Sequence, residues 1–172
     1  MPKRQLAVLL ASMTLAMLVA SGVAWAAIQC HAGTVCRGNE RSNVMFGSQG
    51  RDTMYGLRGH DSMSGEAGAD KMYGGPGNEE YVLGGTGSDL ITGSTGSESL
   101  YGDEGSDRVY GGEGTDTVHG GDGPDRLYGG RGGDTLDAGY QDGAKDYLDC
   151  GPGIDTASFV PKDTVVNCER RF

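Results

Sequence analysis

Gly102-Asp103-Glu104-Gly105-Ser106-Asp107-Arg108-Val109-Tyr110 runs straight into Gly111-Gly112-Glu113-Gly114-Thr115-Asp116-Thr117-Val118-His119. The two nonapeptides share Gly at positions one and four, Asp at position six and Val at position eight. Working outward from this pair, the unit recurs eleven times, beginning at Gly38, Gly47, Gly56, Gly65, Gly74, Gly84, Gly93, Gly102, Gly111, Gly120 and Gly129. Only the step from Gly74 to Gly84 differs from nine, and its additional residue is assigned near Leu83. A fixed internal period outranks local propensity, because one such unit cannot bury its apolar residue alone and its neighbours must stack. The chain therefore reads as an all-β solenoid that lines up one acidic residue per unit, and a column of carboxylates needs a cation.

The sixth positions are Asn43, Asp52, Asp61, Asp70, Glu79, Asp89, Glu98, Asp107, Asp116, Asp125 and Asp134. The eighth are Met45, Met54, Met63, Met72, Tyr81, Ile91, Leu100, Val109, Val118, Leu127 and Leu136. Positions one to six are rich in Gly and suit a tight turn, and positions seven to nine extend as a short strand. Position eight then points inward while seven and nine point outward. Position nine carries Phe46, Tyr55, Tyr73, Tyr101, Tyr110 and Tyr128, which fit cross-strand stacking; a sugar-binding face is the other use of such rings. The methionines of the first units are adaptable core fillers, so that end is expected to pack more loosely. Thioethers are poor ligands for a cation that prefers oxygen.

Residues 1–26 read as a signal peptide: Lys3 and Arg4 precede an apolar run from Leu6 to Ala20, and Ala24-Trp25-Ala26 resembles a cleavage site. A retained N-terminal anchor is the alternative. The expected product is secreted, with no membrane span in the mature chain. Removing Lys3 and Arg4 moves the formal net charge from −10 to −12. That balance disfavours nucleic acid and anionic membranes. Cys30 and Cys36 precede the repeats and Cys150 and Cys168 follow them; in an exported chain proximity favours the pairs Cys30–Cys36 and Cys150–Cys168 over free thiols. The spacing does not suit zinc, and His31, His60 and His119 are scattered.

The repeated Gly-Gly-x-Gly-x-Asp-x-apolar-x pattern resembles the haemolysin-type calcium-binding (RTX) nonapeptide-repeat family, and the tail from Asp149 to Glu169 is similar to the C-terminal closure of small secreted bacterial members. The resemblance implies a parallel β-roll with two units per coil, so that unit n stacks on unit n+2. It implies Ca²⁺ between turns, held by position-six carboxylates and turn carbonyls. One column is then Asp52, Asp70, Asp89, Asp107 and Asp125. The other is Asn43, Asp61, Glu79, Glu98, Asp116 and Asp134, where every departure from Asp falls. The expectation is a strong calcium edge and a weakened one, with Glu79, Glu98 and Asn43 the poorer ligands. Carboxylates one strand spacing apart, about 4.8 Å, repel one another until a cation lies between them. An oxygen cage on flexible backbone suits Ca²⁺ better than Mg²⁺, which requires a tight octahedron.

After Asp137 the register breaks and resumes with Asp146-Tyr147-Leu148. A further unit from Cys150 to Ser158 brings Asp155 to position six. Asp146 and Asp155 are read either as calcium ligands or as part of the cap. The expected layout is 27–37 as an N-terminal cap segment, 38–158 as the roll, and 159–172 as a disulfide-tied C-terminal cap, since a solenoid must cover its open ends.

Catalysis finds no support. The solenoid uses nearly every residue, and there is no nucleophile elbow, no His-Glu-x-x-His helix and no phosphate loop. Two binding readings remain: a secreted calcium-binding protein stabilised by its ions, or a calcium-dependent recognition module for a cell-surface or glycan partner. Ice binding would need a regular Thr or Asn array, and the fifth positions, running from Arg51 and His60 to Pro124 and Gly133, form none.

Overall fold

The structure is a computed structural model that describes residues 27–79, 81–139 and 143–172. The segment read as a signal peptide, 1–26, lies outside the described residues. Among the described residues seventeen strands wind between two parallel sheets. One sheet stacks, in this order, β1 (Ile28–Gln29), β3 (Val44–Ser48), β5 (Ser62–Glu66), β7 (Tyr81–Gly87), β9 (Ser99–Gly105), β11 (Thr117–Asp122), β13 (Thr135–Asp137), β15 (Thr156–Ser158) and β17 (Arg170–Arg171). The other stacks β2 (Val35–Arg37), β4 (Thr53–Tyr55), β6 (Lys71–Pro76), β8 (Leu90–Gly96), β10 (Arg108–Gly114), β12 (Arg126–Gly132), β14 (Tyr147–Asp149) and β16 (Thr164–Val166). Each strand pairs with the strand two further on, as in Val109↔Leu127 and Leu100↔Val118. Two nonapeptides thus make one coil, and the fold is an all-β parallel solenoid. Among the described residues no helix is long and apolar enough to cross a membrane.

Position eight fills the space between the sheets. Met45, Met54, Met72, Ile91, Leu100, Val109, Val118, Leu127 and Leu136 are wholly buried, and Leu148 and Ala157 continue the row. The methionine end is as fully buried as the rest, so the looser packing expected there is not seen in exposure. One sequence assignment is corrected. Tyr81 stands half exposed outside the sheet, and Val82 occupies the core position, in register with Met63 and Leu100. The register from Tyr81 onward is therefore that of positions seven, eight and nine, with Leu83 in its regular place beside Ser64 and Tyr101 rather than at the additional residue. The inward slot between Met63 and Leu100 takes a compact branched side chain, and a phenol there would need room that a one-residue-per-rung core does not have.

The strands are also longer than three residues in the middle of the molecule. β8 and β10 each run seven residues, through position four of the next unit. Ladder bonding persists through the glycines because position-four Gly adopts backbone angles that other residues rarely take. Gly87, at φ +145°, lies so close under the Gly68 carbonyl oxygen that a Cβ would overlap it. The segments expected as caps carry strands too: β1 and β2 at the start, and β16 and β17 at the end, pair as further rungs. Cys30 is bonded to Cys36 and Cys150 to Cys168, and all four side chains are buried at the ends of the core row.

Candidate metal centre

Each turn ends at position six, where the chain enters a strand and its side chain folds back under the turn. The units entering the eight-stranded sheet bring Asp52, Asp70, Asp89, Asp107, Asp125 and Asp146 into one column along one edge. Those entering the nine-stranded sheet bring Asn43, Asp61, Glu79, Glu98, Asp116, Asp134 and Asp155 into another. All of these side chains are buried.

The first column is a continuous ladder. The backbone N–H of Asp52 donates to Asp70 Oδ1 at 2.7 Å, Asp70 to Asp89 at 2.7 Å, Asp89 to Asp107 at 2.8 Å, Asp107 to Asp125 at 2.8 Å and Asp125 to Asp146 at 2.8 Å. Asp146 then donates to Asp163 Oδ1 at 3.1 Å. The second column is interrupted. Asn43 donates to Asp61 Oδ1 at 2.8 Å, and the ladder resumes only from Glu98 to Asp116 (3.0 Å), Asp116 to Asp134 (2.9 Å), Asp134 to Asp155 (2.7 Å) and Asp155 to Glu169 Oε2 (2.9 Å). Among the described residues no such bond reaches the carboxylate of Glu79 or Glu98. The extra methylene of Glu carries the carboxylate past the amide that an Asp reaches.

In the Asp rungs one carboxylate oxygen is used and the other is left over. Oδ2 of Asp61, Asp70, Asp89, Asp107, Asp116, Asp134 and Asp155 is buried without a hydrogen-bond donor, as are both carboxylate oxygens of Glu79 and Glu98. Buried polar atoms rarely stay unsatisfied, so each marks a place where a further partner is wanted. Backbone carbonyls flank both carboxylate oxygens: a Cβ on Gly102 would stand 2.6 Å from Asp107 Oδ2 and 2.5 Å from the Gly120 carbonyl oxygen. A Cβ on Gly105 would run into the Gly87 carbonyl oxygen and stand 3.3 Å from Asp107 Oδ1. One on Gly153 would meet the Gly132 carbonyl oxygen and stand 2.7 Å from Asp155 Oδ1. The small volume kept open at position four is thus walled by oxygen from two successive turns. Among the described residues no three His, Cys, Asp or Glu side chains converge, so a cation here must take much of its shell from backbone carbonyls. An all-oxygen set of few carboxylates and many carbonyls on a glycine frame fits Ca²⁺.

The electrostatics agree with the geometry. Burial pushes the Asp107 carboxyl up to about 8, with the charges of Asp125 and Asp89 adding to the effect. Burial likewise takes Asp89 and Asp134 to about 6. Glu79 is carried to about 8 by burial and then by Asp61, and Glu98 to about 9 by burial and then by Asp116. Asp61, Asp70, Asp116 and Asp155 are raised, again chiefly by burial. Without a cation these columns resist ionisation.

The signature of the RTX calcium-binding nonapeptide repeat matches this sequence in four stretches, residues 37–78, 83–118, 110–140 and 119–157. The chain belongs to the RTX calcium-binding nonapeptide repeat family. Among curated proteins no sequence matches it. Every acidic residue singled out from the RTX repeat lies in one of the two columns, including Asp146 and Asp155, whose place the sequence left open. Two members of the columns were missed: Asp163 and Glu169, which close them at the C-terminal end. A signal for the first was present, since Asp163-Thr164-Val165 repeats the Asp116-Thr117-Val118 pattern. Glu169 leads into Arg170-Arg171, with no apolar residue to mark the rung.

Proposed function

We propose that this protein is a secreted calcium-binding module, without catalytic activity, whose roll is stabilised by Ca²⁺ seated between stacked turns. The observation that carries the reading is the unbroken ladder of buried aspartates from Asp52 to Asp146. There the Oδ1 of every aspartate after Asp52 is tied to the backbone of the neighbouring coil, and Asp70, Asp89 and Asp107 keep a second oxygen with no hydrogen-bond donor. A bound Ca²⁺ supplies positive charge that turns the repulsion along the column into attraction.

The chain's own groups define the sites. Asp52, Asp70, Asp89, Asp107 and Asp125 line the principal edge, with Asp146 extending it. Asp116 and Asp134, with Asp155, form the intact part of the other edge. Asp61 stands next to the interruption, and Glu79, Glu98 and Asn43 are the weaker positions. Around Asp107 the Gly87 carbonyl oxygen borders the space beside Oδ1 and the Gly120 carbonyl oxygen the space beside Oδ2. Asp163 and Glu169 hold the terminal rungs of the columns by accepting from the backbone. Two disulfides suit an oxidising compartment, and the basic-then-apolar start of the chain supports export.

Calorimetric titration of the metal-stripped protein with CaCl₂, followed by circular dichroism, tests the reading. Sites of extracellular modules bind at roughly 10⁻⁴–10⁻³ M, so heat and a gain of strand signal are expected in the millimolar range. No uptake there, or an identical strand signal with and without chelator, refutes it.

A further inference from the structure

The outer face of the eight-stranded sheet is set apart from the rest of the molecule. Its strands carry the cations Arg37, Lys71, Arg108, Arg126 and Arg131 against the acids Glu113 and Asp149, whereas the nine-stranded sheet carries Glu66, Asp103, Glu104, Asp122 and Asp137 against Arg170 and Arg171 at its C-terminal edge. In a chain of net charge −10 this concentration of positive charge runs against the average.

Beside the cations runs an aromatic ladder with one rung missing. Arg37 lies 4.6 Å over the ring of Tyr55, and Tyr55 stacks on Tyr73 at 4.9 Å and 11°. Further along, Tyr110 stacks on Tyr128 at 4.6 Å and 4°. Between the two pairs, β8 places Thr92, whose register partners are Tyr73 on β6 and Tyr110 on β10. Two strand spacings separate those rings, about 9.5 Å. Among the described residues no other ring lies against the facing sides of Tyr73 and Tyr110. The result is a notch with two phenol walls and Thr92 as its floor. Leu90 lies alongside, between Lys71 and Arg108 of the neighbouring rungs. Both cations are exposed, and neither enters an ion pair among the described residues.

We infer that this notch is a binding site for an acidic saccharide strand, one uronate ring of which sits between Tyr73 and Tyr110 with its carboxylate on Lys71 and Arg108. A flat ring in contact with both walls needs only about 7–8 Å. A puckered pyranose, with hydrogens standing out from both faces, fills the wider gap and sets those hydrogens on the electron-rich ring faces. Arg108 offers a planar fork that matches a carboxylate, and Lys71 a mobile point charge on the opposite rung. The site lies on a sheet face, away from both carboxylate columns, so it and the calcium reading stand or fall separately.

The test is calorimetry on calcium-loaded protein with a uronate hexasaccharide and with the neutral hexasaccharide of the same linkage, each corrected for titration into calcium buffer alone. The uronate is expected to bind and the neutral sugar to bind at least tenfold more weakly. Thr92→Tyr fills the notch with a ring at ladder spacing; it should cut uronate affinity at least tenfold while the calcium-loaded melting temperature is held or raised. The pair Lys71→Gln and Arg108→Gln should cut it by a similar factor and remove the preference for the acidic sugar. The proposal is overturned by no uronate binding by the parent protein, equal binding of the neutral sugar, or unchanged uronate affinity in a folded Thr92→Tyr protein. Self-association of the parent through its oppositely charged faces, with no sugar bound, overturns it equally.

Discussion

Asp107→Asn should change stability in opposite directions with and without calcium. Asp107 sits in the middle of the continuous column, wholly buried, with burial and two neighbouring carboxylates taking its carboxyl to about 8. In the unfolded chain it titrates near 3.8. At about pH 7.5 the metal-free protein must therefore take up a proton to fold, which costs about 5 kcal/mol as an upper bound. Asn is neutral in both states and keeps an Oδ1 to accept the Asp89 amide, so the substitution removes that cost and leaves the rung. In calcium the balance reverses. A site with a dissociation constant of 10⁻⁴–10⁻³ M adds about 1.4–2.7 kcal/mol at about 10 mM Ca²⁺. Asp107 faces the coils on both sides, so losing its charge weakens two sites, together about 3–5 kcal/mol. Thermal unfolding followed by circular dichroism, once in chelator and once in calcium, reads both. The variant should gain strand signal and melting temperature in chelator and lose several degrees in calcium, at about 2–4 °C per kcal/mol. A shift of the same sign in both buffers refutes the reasoning, because a purely structural Asp knows nothing of the metal.

The metal-free protein should order on acidification. The raised carboxyls contribute stability that is fully present below their unfolded values, near 4, and is lost as pH rises through about 6 for Asp89 and Asp134, 8 for Glu79 and Asp107 and 9 for Glu98. Strand signal in chelator should accordingly fall between acid and mildly alkaline buffer, and a flat profile counts against the burial argument. Equilibrium dialysis should find fewer bound Ca²⁺ after Asp70, Asp89 and Asp107→Asn than after Glu79→Gln, Glu98→Gln and Asp116→Asn; equal losses dispose of the two-edge distinction. Gly87→Ala places a Cβ on the Gly68 carbonyl oxygen at a φ open to Gly and should destabilise by at least ~3 kcal/mol, whereas Gly133→Ala, whose Cβ meets only the Ile154 carbonyl oxygen at 3.6 Å, should stay within about 0.5 kcal/mol. Reducing Cys150–Cys168, which closes an 18-residue separation, should cost about 3 kcal/mol in calcium-loaded protein measured by denaturant unfolding.

Much of this molecule is legible in a nonapeptide, and the parts that are not share a physical cause. The inward row follows from repetition, since identical units stacked in register must superimpose identical positions; the two columns needed in addition the two units per coil that the family resemblance implied, and the disulfide pairs followed from proximity. Tyr81 misled because Tyr, Val and Leu in succession offer two alternations, and only the volume available between Met63 and Leu100 chooses between them. The strands ran past position nine because glycine, read as turn, is equally able to extend when a neighbouring coil supplies the bonds. Glu169 closes a column from a rung with no apolar marker. In each case the deciding contact belongs to a coil about eighteen residues away, and a window of nine does not see it.

The same distance explains why the two halves of a coil differ. A coil of two units returns to the same sheet only after both, so chemistry written into alternate units gathers on one side. Position seven of units entering the eight-stranded sheet holds Thr53, Lys71, Leu90, Arg108 and Arg126; in units entering the other sheet it holds Val44, Ser62, Tyr81, Ser99, Thr117 and Thr135, none of them charged. Position nine supplies Tyr55, Tyr73, Thr92, Tyr110 and Tyr128 to the first sheet and Phe46, Ser64, Leu83, Tyr101, His119 and Asp137 to the second. The unbroken aspartates fall in the first set and both glutamates in the second. A nine-residue repeat alone would make the two faces and the two edges alike. The eighteen-residue modulation laid over it separates a cationic face from an acidic one and a continuous carboxylate ladder from an interrupted one. It leaves the core row, which both sheets share, uniform. Glu79→Asp with Glu98→Asp tests that separation directly: shortening both side chains should bring their carboxylates back to the amides of Asp61 and Glu79, close the ladder and raise the calcium count on that edge. If the count stays at the parent value, the interruption at the two glutamates is not what distinguishes the edges.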